Sequence, residues 1–179
     1  MDTLFTNTNL SHDRLPTIST LQFMPLGRRY APLNLLCNLS FFLVLMLLAC
    51  AIRWQPWFAV PQWLDAPFPY LLGTLLLLGI CLPTYWYLAD KRKGYALREQ
   101  DLSFKSGLLF ERIVTQPILR VQHVELKRGP VERRAGLGTL EVYSAGGTLH
   151  TFAIPGLPEQ TAKQLRQFIL SHGDVGRDG

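Results

Sequence analysis

Two unbroken apolar runs, residues 33–52 and 68–88, occupy the first half of the chain, and neither contains Asp, Glu, Lys or Arg. Each is about 20 residues long. As a helix rising about 1.5 Å per residue, such a run crosses a hydrocarbon layer of roughly 30 Å. One such run can be a core helix of a soluble protein. Two of them, joined by a short connection, predict an integral membrane protein anchored by a transmembrane α-helical hairpin.

The connection, residues 53–67, holds three of the four tryptophans and three prolines. Indole rings settle at the headgroup level and proline breaks helices, so this stretch reads as a short loop lying along the interface. Arg28 and Arg29 precede the first run, Lys91, Arg92 and Lys93 follow the second, and the loop between them carries Arg53 beside Asp65. That asymmetry places both termini in the cytoplasm and the hairpin in the inner membrane. Residues 1–18 lack the apolar centre of a cleavable signal, and the first run leads into Arg53-Trp54-Gln55-Pro56 rather than small residues. The hairpin is therefore expected to remain uncleaved.

Charge divides the chain in the same way. Of a formal net charge of +5, residues 1–90 contribute nothing, with four basic and four acidic side chains, while the remainder has fourteen basic and nine acidic. The excess thus faces an anionic leaflet. Cys37, Cys50 and Cys81 all fall in the apolar runs, where they serve as small fillers, and the polar part has no thiol for a disulfide or a metal. Asn34 and Asn38 stand one turn apart on one helical face, and an amide in lipid requires a partner. Asn38 is expected to bond Thr84 on the returning helix, with Asn34 either sharing in that contact or reaching interfacial water. Gly73 and Gly79 would let the helices approach closely, and Pro83 would kink the second.

From Gly94 onward the pattern changes to short strands bounded by turn residues. Strands are expected over 95–99, 102–106, 108–115, 119–128, 139–144 and 148–154, six or seven in all, with Ala145-Gly146-Gly147 as a hairpin turn. A helix over 158–172 carries Ala162, Leu165, Phe168, Ile169 and His172 on one stripe, Glu159 near its start and Gly173 at its end. The order predicts an all-β sandwich or open barrel capped by a C-terminal α-helix. The expected division is a partly disordered tail over 1–30, the hairpin over 31–89, the head over 90–173 and a flexible tail over 174–179. Residues 21–26 form a short apolar patch that would rest on the membrane or against the head.

Tyr95-x-Leu-x-x-x-Asp101-Leu102, the turn from Lys105, Gln116-Pro-Ile-Leu-Arg-Val-Gln-His-Val124, the stretch from Arg128 to Gly138, and the segment from Ala145 through Ile154-Pro-Gly-Leu157 occur in series. Together they resemble the membrane-flanked bacterial pleckstrin-homology-like (PH-like) domain, in which a two-helix hairpin precedes the domain. The likeness spans roughly residues 22–172. It implies a cytoplasmic PH-like fold of two packed sheets closed by the final helix, and it implies no reaction. Around Gln100-Asp101 and Ser106-Gly107 only Arg98 and Lys105 are basic. Specific inositide readers usually place a dense Lys/Arg motif there, so that role is not expected.

Catalytic patterns do not emerge. The histidines are His12, His123, His150 and His172, and the sequence contains no His-Glu-x-x-His, phosphate-binding glycine loop or Gly-x-Ser-x-Gly. His123 and Glu125 share a strand face, which reads as a surface pair. We expect no enzyme activity, no cofactor, no metal and no nucleic-acid partner. The candidate contact residues are Lys127, Arg128, Arg133 and Arg134, diluted by Glu125 and Glu132, together with juxtamembrane Lys91, Arg92 and Lys93. Each cation near an anionic leaflet contributes about 1 kcal/mol of attraction. Two functions follow: docking a membrane-protein partner or a second copy of the chain, or sensing anionic lipid.

Overall fold

The computed structural model of the chain describes residues 21–57, 61–144 and 152–175. Two long helices come first, α1 (Tyr30–Trp54) and α2 (Phe68–Arg92), each of 25 residues. None of the apolar window of α1 and 11% of that of α2 is buried. These are not core helices of a soluble protein, because their Leu, Phe and Ile side chains point outward along most of their length. Gly79 packs against the Phe42 side chain, where a Cβ would sit 3.1 Å from the Phe42 Cβ, whereas Gly73 has nothing within 4 Å. Close approach thus occurs at one of the two glycines. Pro83 lies buried inside α2. At the far end Arg53 pairs with Asp65 across the connection, and the Trp54 and Phe68 rings meet edge to face at 5.9 Å. Trp57 and Trp63 stand exposed there, as an interfacial belt requires.

Among the described residues, seven strands and two further α-helices make the head. A four-stranded sheet has the order β1 (Met24–Pro25), β2 (Gly94–Leu97), β3 (Asp101–Ser106), β4 (Arg112–Pro117). A three-stranded sheet has the order β5 (Val121–Lys127), β6 (Leu137–Ser144), β7 (Phe152–Pro158). All pairings are antiparallel. The short helix α3 (Pro130–Ala135) links β5 to β6, and α4 (Glu159–Val175) follows β7 directly.

The apolar patch at residues 21–26 belongs to this sheet. Met24 and Pro25 pair with Tyr95 and Gly94, and Leu26 is buried in the core. The membrane hairpin is therefore the connection between two neighbouring strands, entered after β1 and left one residue before β2.

The core forms between the sheets and under α4. Leu102 and Phe104 from one sheet meet Val124, Leu140, Val142, Phe152, Ile154 and Leu157 from the other, and the Phe104 and Phe152 rings stack at 6.2 Å. Ala162, Leu165 and Ile169 are buried beneath α4, with Phe168 partly so, the stripe the helical spacing gives. Burying a side chain such as Leu165 or Ile169 contributes about 1.5–3 kcal/mol.

Several boundaries differ from the sequence reading: β2 ends at Leu97 rather than 99, residues 118–120 form a short 3-10 turn before β5, and β7 runs on to Pro158 rather than stopping at 154. Leu108, Leu109 and Phe110 form a turn rather than the start of a strand, because Gly107 has φ +105° and closes so tightly that a Cβ there would lie 1.9 Å from the Phe110 carbonyl oxygen. The stretch after Arg128 contains α3, which the sequence reading lacked, although proline at its first turn and left-handed Gly136 (φ 69°) at its end are the usual signals. Pro158 ends β7 and Glu159 opens the helix. The Ala145-Gly146-Gly147 turn, His12, His150, both chain ends and residues 58–60 lie outside the described residues, as does the side chain of His172.

Candidate functional site

Head and hairpin meet at a polar junction built from the last turn of α2 and the first turns of α1. Asp90 is 4% exposed. One of its oxygens accepts a hydrogen bond from Asn34 Nδ2 at 2.6 Å, and the other accepts one from Lys93 Nζ at 2.7 Å. The Lys93 ammonium also lies 5.6 Å from the Tyr30 ring centre. Burial pulls the Lys93 pKa down, but the hydrogen bond to Asp90 and the fields of Tyr30 and Asp90 outweigh it, so the group stays above its ordinary 10.5. A buried carboxylate with two donors is satisfied, and its work is to join α1, α2 and Lys93, the single residue that links α2 to β2.

This geometry corrects the expected interhelical bond. Asn38 Nδ2 donates to the Asn34 carbonyl at 2.8 Å, with the Asn34 side-chain oxygen 3.3 Å away. Thr84 is exposed and its hydroxyl donates to the Ile80 carbonyl at 2.6 Å. A threonine in lipid satisfies itself on its own helix more easily than across a gap. The polar link between the helices is Asn34–Asp90, and sequence reading missed it because Asp90 stood outside the apolar run and was read with the charges following it.

Backbone contacts complete the junction. Gly27 N–H donates to the Gly156 carbonyl at 2.9 Å, and Gly156, with φ +64°, lies so close to Tyr30 that a Cβ would fall 2.2 Å from its Cγ. A hollow of about 310 Å³, bordered by Asn34, Asn38, Trp86, Ala89, Asp90 and Lys93, opens beside these residues. An apolar hollow of about 420 Å³ at the opposite end, lined by Ala49, Ile52, Leu64, Phe68 and Leu71, has Arg53 at its rim. That arginine is already held by Asp65, so the hollow lacks the convergent polar groups that orient a ligand.

The four basic residues singled out in the head separate into two pairs. Lys127 Nζ lies 2.8 Å from Glu141, and that hydrogen bond holds its pKa above the ordinary value. Arg128 donates from Nε to the Leu137 carbonyl at 3.1 Å and pairs with Glu159 at 2.8 Å. Both are engaged within the head. Arg133 and Arg134 are exposed on α3, and Glu132 is turned away from them, its oxygens taken by the Gly129 N–H at 3.0 Å and the Thr139 hydroxyl at 2.9 Å. In the juxtamembrane group, Lys91 covers the Tyr87 ring at 4.9 Å, Arg92 is exposed and Lys93 is the half-buried partner of buried Asp90. His123 is exposed and lies 5.7 Å from the Tyr143 ring across the strand pair, a surface position as expected. Among the described residues no group of three or more His, Cys, Asp or Glu is placed to hold a metal.

Two outward-facing apolar helices, a seven-stranded two-sheet head and a capping helix define a membrane-anchored PH-like protein. The chain belongs to the family described as Bacterial PH domain, which matches residues 33–172 and so takes in the hairpin as well as the head. It is similar to the UPF0699 transmembrane protein YdbS of Bacillus subtilis (strain 168), at 29% identity over 128 residues, covering 70% of this chain and 76% of that protein. No solved structure matches. The protein is thus a transmembrane protein with a bacterial PH domain.

Proposed function

We propose that this is a non-enzymatic, two-pass protein of the inner membrane, with both termini cytoplasmic, whose head serves as a docking module for a membrane-protein partner or a second copy of itself. The observation that carries the reading is β4. Among the described residues it is hydrogen-bonded to β3 on one side and stands at the end of the four-strand order, so six residues of strand (Arg112–Pro117) offer their outer edge. An unpaired edge is a template for an added strand. Leu119, exposed in the turn that follows, extends it with an apolar contact.

A photo-crosslinker placed at Leu119 in native membranes tests this. The expected result is one discrete adduct that a crosslinker at Glu99, on the exposed turn between β2 and β3, does not give. Equal or absent adducts at the two positions would remove the support. A cytoplasm-specific reporter at the C-terminus tests the orientation.

Attraction of the head to an anionic leaflet is a second reading, favoured by the exposed pair Arg133 and Arg134. Two cations, rather than the four first singled out, then carry it, for about 2 kcal/mol. Charge-neutral replacement of those two, but not of Lys127, should weaken a salt-sensitive apposition of the head to anionic bilayers.

A further inference from the structure

The turn between β3 and β4 presents Leu109 at 75% exposure and Phe110 at 90%. Turn tips are ordinarily polar, and single exposed apolar residues are unremarkable, but two adjacent large ones at the end of a tight turn form a protruding apolar tip. The turn closes at Gly107, at φ +105°, with the Lys105–Glu111 ion pair at 2.8 Å across its base.

The register says where this tip points. The chain leaves α2 at Arg92 and enters β2 at Gly94, and Gly94 pairs with Pro25 on one side and Lys105 on the other. β3 therefore runs back toward the end of the sheet from which both membrane helices depart. It continues one residue past that row, to Ser106 paired with Arg112, before the turn begins. With strands about 4.8 Å apart, the tip stands roughly 10 Å to the side of the helix junction and beyond its row. The opposite turn, containing Glu99, faces away from the hairpin.

We infer that Leu109 and Phe110 form a membrane-inserting wedge that seats the head on the same bilayer the hairpin crosses, at the boundary between headgroups and acyl chains. This rests on the reading that α1 and α2 span the membrane. The surroundings suit that position. Arg112 stands exposed at the base of the turn and Lys91 and Arg92 are exposed at the helix end, cations placed to meet phosphate while the apolar tip enters below them. Lys105 is drawn inward to Glu111 and lies 5.7 Å from the Phe23 ring, leaving the tip itself uncharged. The wedge gives the head a contact with lipid at the far edge of the sheet, lateral to its two covalent tethers.

The test uses the full chain in protein-free vesicles of phosphatidylcholine and phosphatidylglycerol. With Cys37, Cys50 and Cys81 replaced by alanine, a polarity-sensitive fluorophore is attached at F110C or, as a control, at E99C. The expected result is a blue-shifted emission at position 110 that lipids brominated on their acyl chains quench, with neither effect at position 99. A spin label at L109C, read by its accessibility to oxygen against a nickel chelate, gives the same discrimination without the bulky dye. Matching, water-like signals at both ends of the sheet would overturn the wedge. If the chain then stays with the membrane through alkaline extraction, the hairpin reading stands without the wedge; if it is released, both fall. Shielding that appears only when cell membrane proteins are present would also overturn it, because the occupant would then be a protein.

Discussion

Asp90 and Lys93 make an unequal pair, and the inequality predicts an order of mutational cost. The carboxylate side chain is 3% exposed and the ammonium side chain 24%. Asp90→Ala removes two hydrogen bonds to a charged acceptor, about 1.5–3 kcal/mol each in gross terms, but it also relieves the desolvation of a buried carboxylate, a penalty of several kcal/mol. Lys93, left behind, can turn its flexible stem to water. The net cost should be about 2 kcal/mol. Lys93→Met is the worse change, because Asp90 remains buried with Asn34 as its one side-chain donor, and breaking a buried pair from this side costs about 3–5 kcal/mol. The double variant Asp90→Leu/Lys93→Met removes both charges and should recover most of that loss. Since Lys93 titrates above its ordinary 10.5, its raised value contributes stability that is complete below pH 10.5 and lost only as pH climbs through the higher folded value. Lys93 therefore carries its charge at neutral pH. Unfolding of the full chain in detergent, followed by tryptophan fluorescence and by amide exchange at the junction, measures all three. Equal costs, or Asp90→Ala costing more than Lys93→Met, would refute the argument that burial decides the pair.

Gly156→Ala should cost about 2–4 kcal/mol, from an L residue held at positive φ and from displacement of Tyr30, whereas Gly73→Ala, with open space around it, should change stability by less than about 1 kcal/mol; thermal unfolding in detergent compares them. Asn34→Leu should destabilise by about 1–3 kcal/mol, by removing a donor to buried Asp90, while Thr84→Val should cost under about 0.5 kcal/mol; the reverse order would restore the rejected Asn38–Thr84 contact. The Glu159 carboxylate is held below its ordinary 4.5 by its hydrogen bond to Lys163, with Arg128 adding to the effect. That contribution is complete above pH 4.5 and vanishes as pH falls through the folded value, so Glu159→Gln should flatten the fall of Tm as the pH drops below 4.5.

The features legible in the sequence are those that a single element writes for itself. Uninterrupted apolar runs mark α1 and α2 because lipid demands continuous hydrophobicity, and a 3.6-residue stripe marks α4 because one face meets the sheets. β1 was not legible as a strand, since two residues have no period and their partner, Gly94, lies across the whole hairpin. Asp90 escaped for a related reason: a charge beside Lys91, Arg92 and Lys93 reads as solvated until the helix is built and its carboxylate is seen to face Asn34. The basic group in the head was legible as composition only. Glu125, close in sequence, does lie 4.0 Å from Lys127, but the nearer partners of Lys127 and Arg128 are Glu141 and Glu159, reached across strands and a helix, and adjacency to Glu132 gave no guide to Arg133 and Arg134.

Because the hairpin replaces a turn between neighbouring strands, the head should be separable from the membrane only if that turn is restored. The tether is one residue, Lys93, on one side and residues 26–29 on the other, so the head is held to the helices at two points and has little freedom to swivel. A fragment of residues 94–179 lacks β1 and leaves open the core position that Leu26 fills. Leu26 alone contributes about 1.5–3 kcal/mol by burial, a large share of the stability of a small domain. A chain in which residues 22–27 are joined to 93–179 by a short Asn-Gly-containing turn keeps both, since β1 and β2 are already antiparallel partners and such turns suit that connection. This joined head should be soluble and unfold cooperatively. The fragment starting at residue 94 should melt at a Tm lower by roughly 6–24 °C, taking a shift of 4–8 °C per kcal/mol for a domain of this size. Equal melting temperatures would mean that β1 adds nothing to the sheet, and that the hairpin precedes the head rather than being threaded through it.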